Sequence, residues 1–244
     1  MFKAKIKSYY LKDFINIVSN VADEIKLNIQ NNGWSVKVVD PAHVALLDVM
    51  LDKDAFVEYE TDGMEIGIDV ERFKKVAGSL KKDSDVDIEF RPKTNKLNIK
   101  NGNLTRRLTL LDTTNIADIK LPNIDFTGTA VLGIDEFKQG VTAASSISDV
   151  LTIEMTKDSF RITSNDDLEE IDLTVSDKTL FGLSVNGSCK TMYSTVYLSN
   201  FLKTVKTDVL TLKTGKDIPL MFELKTLNGF CNVNYLLAPR IESE

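Results

Sequence analysis

An α+β protein made of two repeats of one β-rich module, each with two short helices, is predicted by three features of this 244-residue chain. The first is an ungapped self-similarity between residues 23–40, DEIKLNIQNNGWSVKVVD, and residues 149–166, DVLTIEMTKDSFRITSND. The second is the period-two alternation of apolar residues inside both segments. The third is an amphipathic helical stretch on each side of each copy.

In chain order, Leu11, Phe14, Ile15, Val18 and Val21 recur at helical spacing and predict a first helix. Ile25, Leu27 and Ile29, then Trp34 and Val36, alternate around Asn31-Asn32-Gly33, which is a β-hairpin signal. Phe73, Val76, Ala77 and Leu80 predict a second helix, and Val86-Asp87-Ile88-Glu89-Phe90 a further strand. Thr113 to Asp125, TTNIADIKLPNID, has a proline and no sustained period, and reads as an extended connector. The order then repeats. Phe137, Val141, Ala144 and Ile147 give a helix, and Leu151, Ile153 and Met155 with Phe160 and Ile162 give a hairpin around Lys157-Asp158-Ser159. Leu198, Phe201, Leu202 and Val205 give the second helix of this copy, and Leu220-Met221-Phe222-Glu223-Leu224 a strand. The expected organisation is an N-terminal module over residues 1–112, a connector over 113–125 and a C-terminal module over 126–244.

No basic-then-apolar leader opens the chain, and no apolar run approaches the roughly 20 residues of a membrane helix, so a cytosolic or nuclear protein is expected. Cys189 and Cys231 stand without C-x-x-C spacing and are expected to be reduced and structural. The net charge is -6, which argues against nucleic-acid binding if charge is spread evenly. It is not spread evenly. Once the apolar stripes are assigned to the core, the outer faces of the four predicted helices carry Lys12, Arg72, Lys74, Lys75, Lys81, Lys82, Lys138, Lys203 and Lys206. One face of this composition attracts phosphates without reading bases, because few Asn, Gln or Arg residues and no stacking aromatics sit there. For any single helix, solvated exterior lysines are the plainer reading; the same bias on four helices points to one basic surface if both modules face their helices the same way.

Catalytic constellations are missing. His43 is the only histidine, and no G-x-S-x-G, H-E-x-x-H, G-x-x-x-x-G-K-[ST] or G-x-G-x-x-G occurs. Asp166-Asp167 with Glu169-Glu170 and Asp172 could hold a divalent cation, but such runs are more often a solvated or salt-bridged strand. A binding protein without cofactor or metal is expected, with His43 a hydrogen-bonded loop residue.

Several segments together resemble a family. Asn234-Tyr235-Leu236-Leu237-Ala238-Pro239-Arg240-Ile241-Glu242 is similar to the Y-x-L-A-P-[KR]-I-E ending of the proliferating cell nuclear antigen (PCNA) family of archaea and eukaryotes, whose members are DNA sliding clamps. Val39-Asp40-Pro41-Ala42-His43-Val44-Ala45-Leu46-Leu47 resembles its D-x-x-H-V-x-L segment, Phe73-Lys74-Lys75-Val76 its first-domain second helix, and Asp217-Ile218-Pro219-Leu220 its D-x-P-L strand. Leu111-Asp112 leads into the connector where the family has its interdomain loop. The resemblance, closest to the archaeal type, spans both halves.

That resemblance implies a homotrimeric ring of six modules with helices inside and sheets outside. Such a processivity factor encircles duplex DNA, is opened by a clamp loader, and holds DNA polymerase, ligase and nuclease proteins through their PIP-box peptides, Q-x-x-[hydrophobic]-x-x-aromatic-aromatic. It implies a cytoplasmic, nucleoid-associated protein, or a nuclear one if eukaryotic. The residues matching the family's peptide pocket are Val39, His43, Val44, Leu46, Ile119, Leu121, Pro122, Pro219, Leu236, Ala238, Pro239 and Ile241. Those matching its subunit interface fall in Leu104–Leu110, with Arg106, Arg107, Leu108 and Leu110, and in Leu168–Thr174, with Glu169, Glu170, Ile171 and Asp172. Opposite charge on the two segments is expected to favour head-to-tail pairing, both arginines facing Glu169, Glu170 and Asp172. Asp13, Ser19 and Thr142 depart from the basic residues that relatives often carry. A subunit of a heterotrimeric or checkpoint clamp, and a β-rich hydrolase using the acidic cluster, are the competing readings.

Overall fold

A computed structural model of the chain describes residues 1–241, so Glu242 at the end of the C-terminal run lies outside the described residues. The chain forms two compact units, one of Met1–Lys120 with Lys225–Val233, the other of Leu121–Leu224 with the residues from Asn234 onward.

The first unit runs β1 (Phe2–Lys7), α1 (Ser8–Val18), β2 (Glu24–Gln30), β3 (Gly33–Val39), β4 (Ala45–Asp52), β5 (Phe56–Thr61), β6 (Met64–Asp69), α2 (Val70–Gly78), β7 (Asp85–Arg91), β8 (Lys96–Asn101) and β9 (Leu104–Thr109). A five-stranded sheet has the order β5-β1-β7-β8-β9, and four further strands run β4-β3-β2-β6. The hairpin is β2–β3. Ile25, Leu27, Ile29, Trp34 and Val36 are all buried, as period two demands when one face packs on a core. Gly33 turns the chain at φ 133, where a Cβ would lie 2.1 Å from the Leu51 carbonyl oxygen. Tyr59 Oη donates to the Gln30 and Gly33 carbonyls at 2.7 and 2.9 Å and closes the hairpin end. Trp34 sits at the centre of this core, its ring 5.1–5.9 Å from those of Phe56, Phe14 and Phe2.

The rest of the chain repeats the order: β10 (Gly128–Gly133), α3 (Ile134–Ile147), β11 (Val150–Met155), β12 (Ser159–Asn165), β13 (Glu170–Ser176), β14 (Gly182–Val185), β15 (Lys190–Ser194), α4 (Thr195–Thr204), β16 (Val209–Thr214), β17 (Leu220–Thr226) and β18 (Cys231–Leu237). Strands run β13-β12-β11-β15 in one sheet and β14-β10-β16-β17-β18 in another. The expected second hairpin is β11–β12, with Leu151, Ile153, Met155, Phe160 and Ile162 buried. Phe137, Phe201 and Phe222 make the core aromatic cluster, Phe201 stacking on Tyr235 at 4.0 Å.

Three helices end sooner than the apolar spacing suggests. Val21, Leu80 and Val205 are buried as predicted, but α1 stops at Val18, α2 at Gly78 and α4 at Thr204, so Lys81, Lys82 and Lys206 lie past helix ends. Side-chain hydroxyls take over at these termini. Ser79 Oγ donates to the Val76 carbonyl at 2.7 Å and Thr204 Oγ1 to that of Phe201 at 2.7 Å, satisfying acceptors that helix continuation would use.

Each unit also closes one sheet edge with the chain that follows its last strand. Leu111, after β9, bridges Gly67 on β6, and Arg240, after β18, bridges Met192 on β15. Covering an edge removes a row of unpaired backbone groups. The first bridge also starts the connector, which Asp112 then turns. Its carboxylate accepts the Thr114 N–H at 2.9 Å and the Thr114 hydroxyl at 2.8 Å, which hold it below the usual carboxylate range. Lys26 Nζ meets Asp118 at 2.7 Å, and residues 116–126 have no helix or strand.

A Cβ on Gly67 would lie 2.5 Å from the Leu111 carbonyl oxygen, a backbone atom. Gly67→Ala should therefore destabilise the first unit by about 1–3 kcal/mol through overpacking. The measurement is the urea midpoint of the fluorescence of Trp34, the single tryptophan. An unchanged midpoint would mean that the bridge yields freely.

Candidate functional site

In the first unit, burial of Leu11, Phe14, Ile15 and Val18 turns Lys12 outward on α1, and burial of Phe73, Val76 and Ala77 turns Arg72, Lys74 and Lys75 outward on α2. Two of these lysines reach across to neutral oxygens. Lys12 Nζ donates to the Leu80 carbonyl at 3.1 Å, and Lys74 Nζ to Ser19 Oγ at 3.0 Å, so positive charge spans both helices. Arg72 pairs with Asp69 at 3.0 Å, where Asp69 also caps the helix N-terminus, and Lys75 pairs with Glu71 at 2.5 Å. Exposed pairs of this kind are weak and leave both cations within reach of another anion.

In the second unit, Lys138 of α3, Lys203 of α4 and Lys206 beyond it line one groove of about 500 Å³ between the helices. Val141, Leu202 and Val205 contribute its apolar lining, and Thr142, Ser145 and Ser199 add hydroxyls. The acidic residues of α3, Asp135 and Glu136, are in its first turn, where the helix dipole favours them. Three of the predicted lysines thus share a concave surface whose lining has no Asn, Gln, Arg or aromatic side chain. Of the departures from basic residues, Thr142 is in this groove, Ser19 receives Lys74, and Asp13 is half-buried on α1.

The residues matching a peptide pocket are placed as follows. Val39 ends β3, and Leu46 is on the outward face of β4, both half-buried. Between them the Asp40 carboxylate accepts N–H groups of Val44 and Ala45 at 2.7 and 2.6 Å, making a tight turn that holds His43 at φ 56 with its side chain exposed. Asp40 is the organiser that the sequence reading missed; its signal is an Asp placed to accept backbone N–H groups two to five residues on. Val44 and Ile119 are half-buried, Leu121 is 38% exposed and Pro122 is exposed. In the second unit, Pro219, Ala238 and Pro239 are half-buried, Leu236 is buried, and Ile241 is 81% exposed. The Arg240 N–H donates to the Met192 carbonyl at 2.8 Å and holds this run on β15.

The segments matching the family's subunit interface are edge strands. β9 ends the five-stranded sheet, and β13 ends the β13-β12-β11-β15 sheet. Leu108 and Leu110 are buried, while Arg106 and Arg107 are exposed. Glu169 precedes β13, in a turn where Asp166 accepts the Leu168 and Glu169 N–H groups at 2.8 and 2.7 Å, which hold its carboxyl below the usual range. Asp172 pairs with Arg161, which lowers its carboxyl likewise. This acidic run is therefore a turn and a salt-bridged strand, and among the described residues no cluster of acidic, histidine or cysteine side chains is arranged to hold a metal. Burial raises the Cys189 and Cys231 thiols to about 11 and about 12, leaving them protonated and unreactive.

Comparison with known proteins agrees along the whole chain. The family model described as the N-terminal domain of proliferating cell nuclear antigen matches residues 1–126, and that of its C-terminal domain matches residues 120–240. The DNA polymerase sliding clamp of Methanocella arvoryzae is 35% identical over all of both chains, and that of Thermoplasma acidophilum is 33% identical over 99% of this chain and 100% of its own. Among solved structures, that of the C-terminal region of FEN-1 bound to A. fulgidus PCNA superposes with a TM-score of 0.94 at 28% identity, covering all of both chains. PCNA from Thermococcus kodakaraensis superposes with a TM-score of 0.89 at 22% identity, covering 98% of this chain and 100% of that one, a likeness of fold. With both halves matched by its two domain models and relatives aligned end to end, the chain belongs to the proliferating cell nuclear antigen family.

Proposed function

We propose that this chain is the subunit of a DNA sliding clamp, a homotrimeric ring that encircles duplex DNA and tethers DNA polymerase and other PIP-box proteins to it. The observation that carries the reading is the lysine-bearing helix surface present in both units of a chain whose net charge is -6. Loose, sequence-independent attraction to phosphates suits a protein that must slide. The clamp acts by topology and tethering, with no chemical step of its own, and its place is with the DNA in the cytoplasm. No helix among the described residues is long and apolar enough to cross a membrane.

Partner peptides dock on the outward apolar residues of the 39–46 stretch, the connector and the C-terminal run. The mode is that of a short amphipathic helix laid on an apolar surface. A. fulgidus PCNA, a relative of the same shape, has been solved with the C-terminal region of FEN-1 bound to it, which supports a tethering role. Polymerase, clamp loader, ligase and nuclease proteins are the partners that this reading assigns to the chain.

Light scattering across a dilution series tests the ring. A mass three times the 27.3 kDa of the chain is expected, and a stable monomer would overturn the homotrimer. For the tether, a fluorescent PIP-box peptide should bind with Leu121→Asp weakening it about tenfold or more, equivalent to about 1.4 kcal/mol, with trimer mass unchanged. Affinity left at the unsubstituted level by both Leu121→Asp and Val44→Asp would place the peptide elsewhere.

A further inference from the structure

Period-two alternation separates the two arginines of β9. Leu104, Arg106 and Leu108 share one face of the strand, and Thr105, Arg107 and Thr109 the other. On the first face Leu108 is buried on the side that packs toward α2 while Leu104 and Arg106 are exposed, and the Arg107 face is polar and continues onto Lys96 and Lys100 of β8 in an open cleft. β13 is divided in the same way. Ile171, Leu173 and Val175 point to the side covered by α3, where a Cβ on Gly140 would lie 3.6 Å from Leu173 Cδ2. Glu170, Asp172 and Thr174 point to the opposite, exposed side.

Pairing β9 of one copy with β13 of the next has one acceptable facing, because a one-residue slip would put Leu108 beside carboxylates and Ile171 beside solvent. With apolar faces together, Arg107 comes onto the same side as Glu170 and Asp172, whichever way the strands run. Arg106 falls on the apolar side with Ile171 and Leu173. Pairing β9 antiparallel to β13 over Leu104–Thr109 and Glu170–Val175 puts Arg107 opposite Asp172 and diagonal to Glu170, both within reach of a long side chain.

The polar faces already show what such a meeting would continue. On the five-stranded sheet, lysines of β1 pair with acids on both neighbours, Lys5 with Glu58 and Lys7 with Asp85, and β7 in turn sets Asp87 opposite Lys100. The alternation stops at the edge, because Lys96, Lys100 and Arg107 form no ion pair among the described residues. Within the sheet of β13, Arg161 of β12 takes Asp172, and Glu170 forms no ion pair among the described residues.

We propose that Arg107 is the charge that selects the next copy of this chain at the ring junction, its partner there being the Glu170–Asp172 pair, and that Arg106 takes no part in this selection. The proposal rests on the ring reading above and replaces the expectation that both arginines face the acidic strand. Backbone pairing and apolar burial hold the junction; Arg107 decides which edge is accepted. It also makes assembly salt-sensitive, since the pair is exposed.

The test is the dilution series repeated on variants. Arg107→Glu should raise the concentration at which trimer and monomer are equal about tenfold or more, Glu170→Arg added to it should recover most of that loss, and Arg106→Gln should leave the midpoint within about threefold. Equal losses for Arg106→Gln and Arg107→Glu, or no recovery in the double variant, would overturn the assignment while leaving the ring intact. A monomeric unsubstituted protein would instead remove the ring reading itself.

Discussion

Burial of the helices' apolar stripes against the sheets is the interaction on which the surface chemistry depends. Phe14 and Phe73 in one unit, and Phe137 and Phe201 in the other, are fully buried, each contributing about 1.5–3 kcal/mol relative to exposure. That fixes the rotation of each helix about its own axis. Lys12, Arg72, Lys74 and Lys75, and likewise Lys138 and Lys203, have no alternative to the outer face, because an ammonium or guanidinium cannot enter such a core unpaired. The basic surface is a consequence of packing phase.

Edge management is the second consequence of building from sheets. The chain after the last strand of each unit returns to bridge an edge, Leu111 on β6 and Arg240 on β15. The edge strands β5, β9, β13 and β14 carry no such bridge, and exposed strand edges invite pairing with another chain. β9 carries Arg106 and Arg107 and β13 carries Glu170 and Asp172, and on the proposed reading a head-to-tail contact of these unlike edges generates a ring when the rotation closes.

Much of this was legible in the residues, for reasons that differ by element. The hairpins β2–β3 and β11–β12 were readable because alternation and turn residues are local. Helix phases were readable from the same periodicity, but not where α2 and α4 end, since Ser79 and Thr204 act through hydroxyl bonds that no apolar spacing records. The pinning of the connector by Gly67–Leu111 and Lys26–Asp118 joins residues far apart in sequence and left no local signal. Asp40 lay inside a quoted motif, yet its role as the turn's acceptor appears only with the backbone in place. Arg106 and Arg107 read as one basic unit in sequence, and the pleat sets them apart.

Topological attachment to DNA is tested most directly on a nicked circular plasmid. The protein is placed there by its clamp loader, freed of unbound material by gel filtration, and the circle is then cut once with a restriction enzyme. Comigration with the circle and rapid release on linearisation is the predicted result. Retention on the linear product with free ends would contradict it, and would mean that the lysine surfaces hold DNA by affinity.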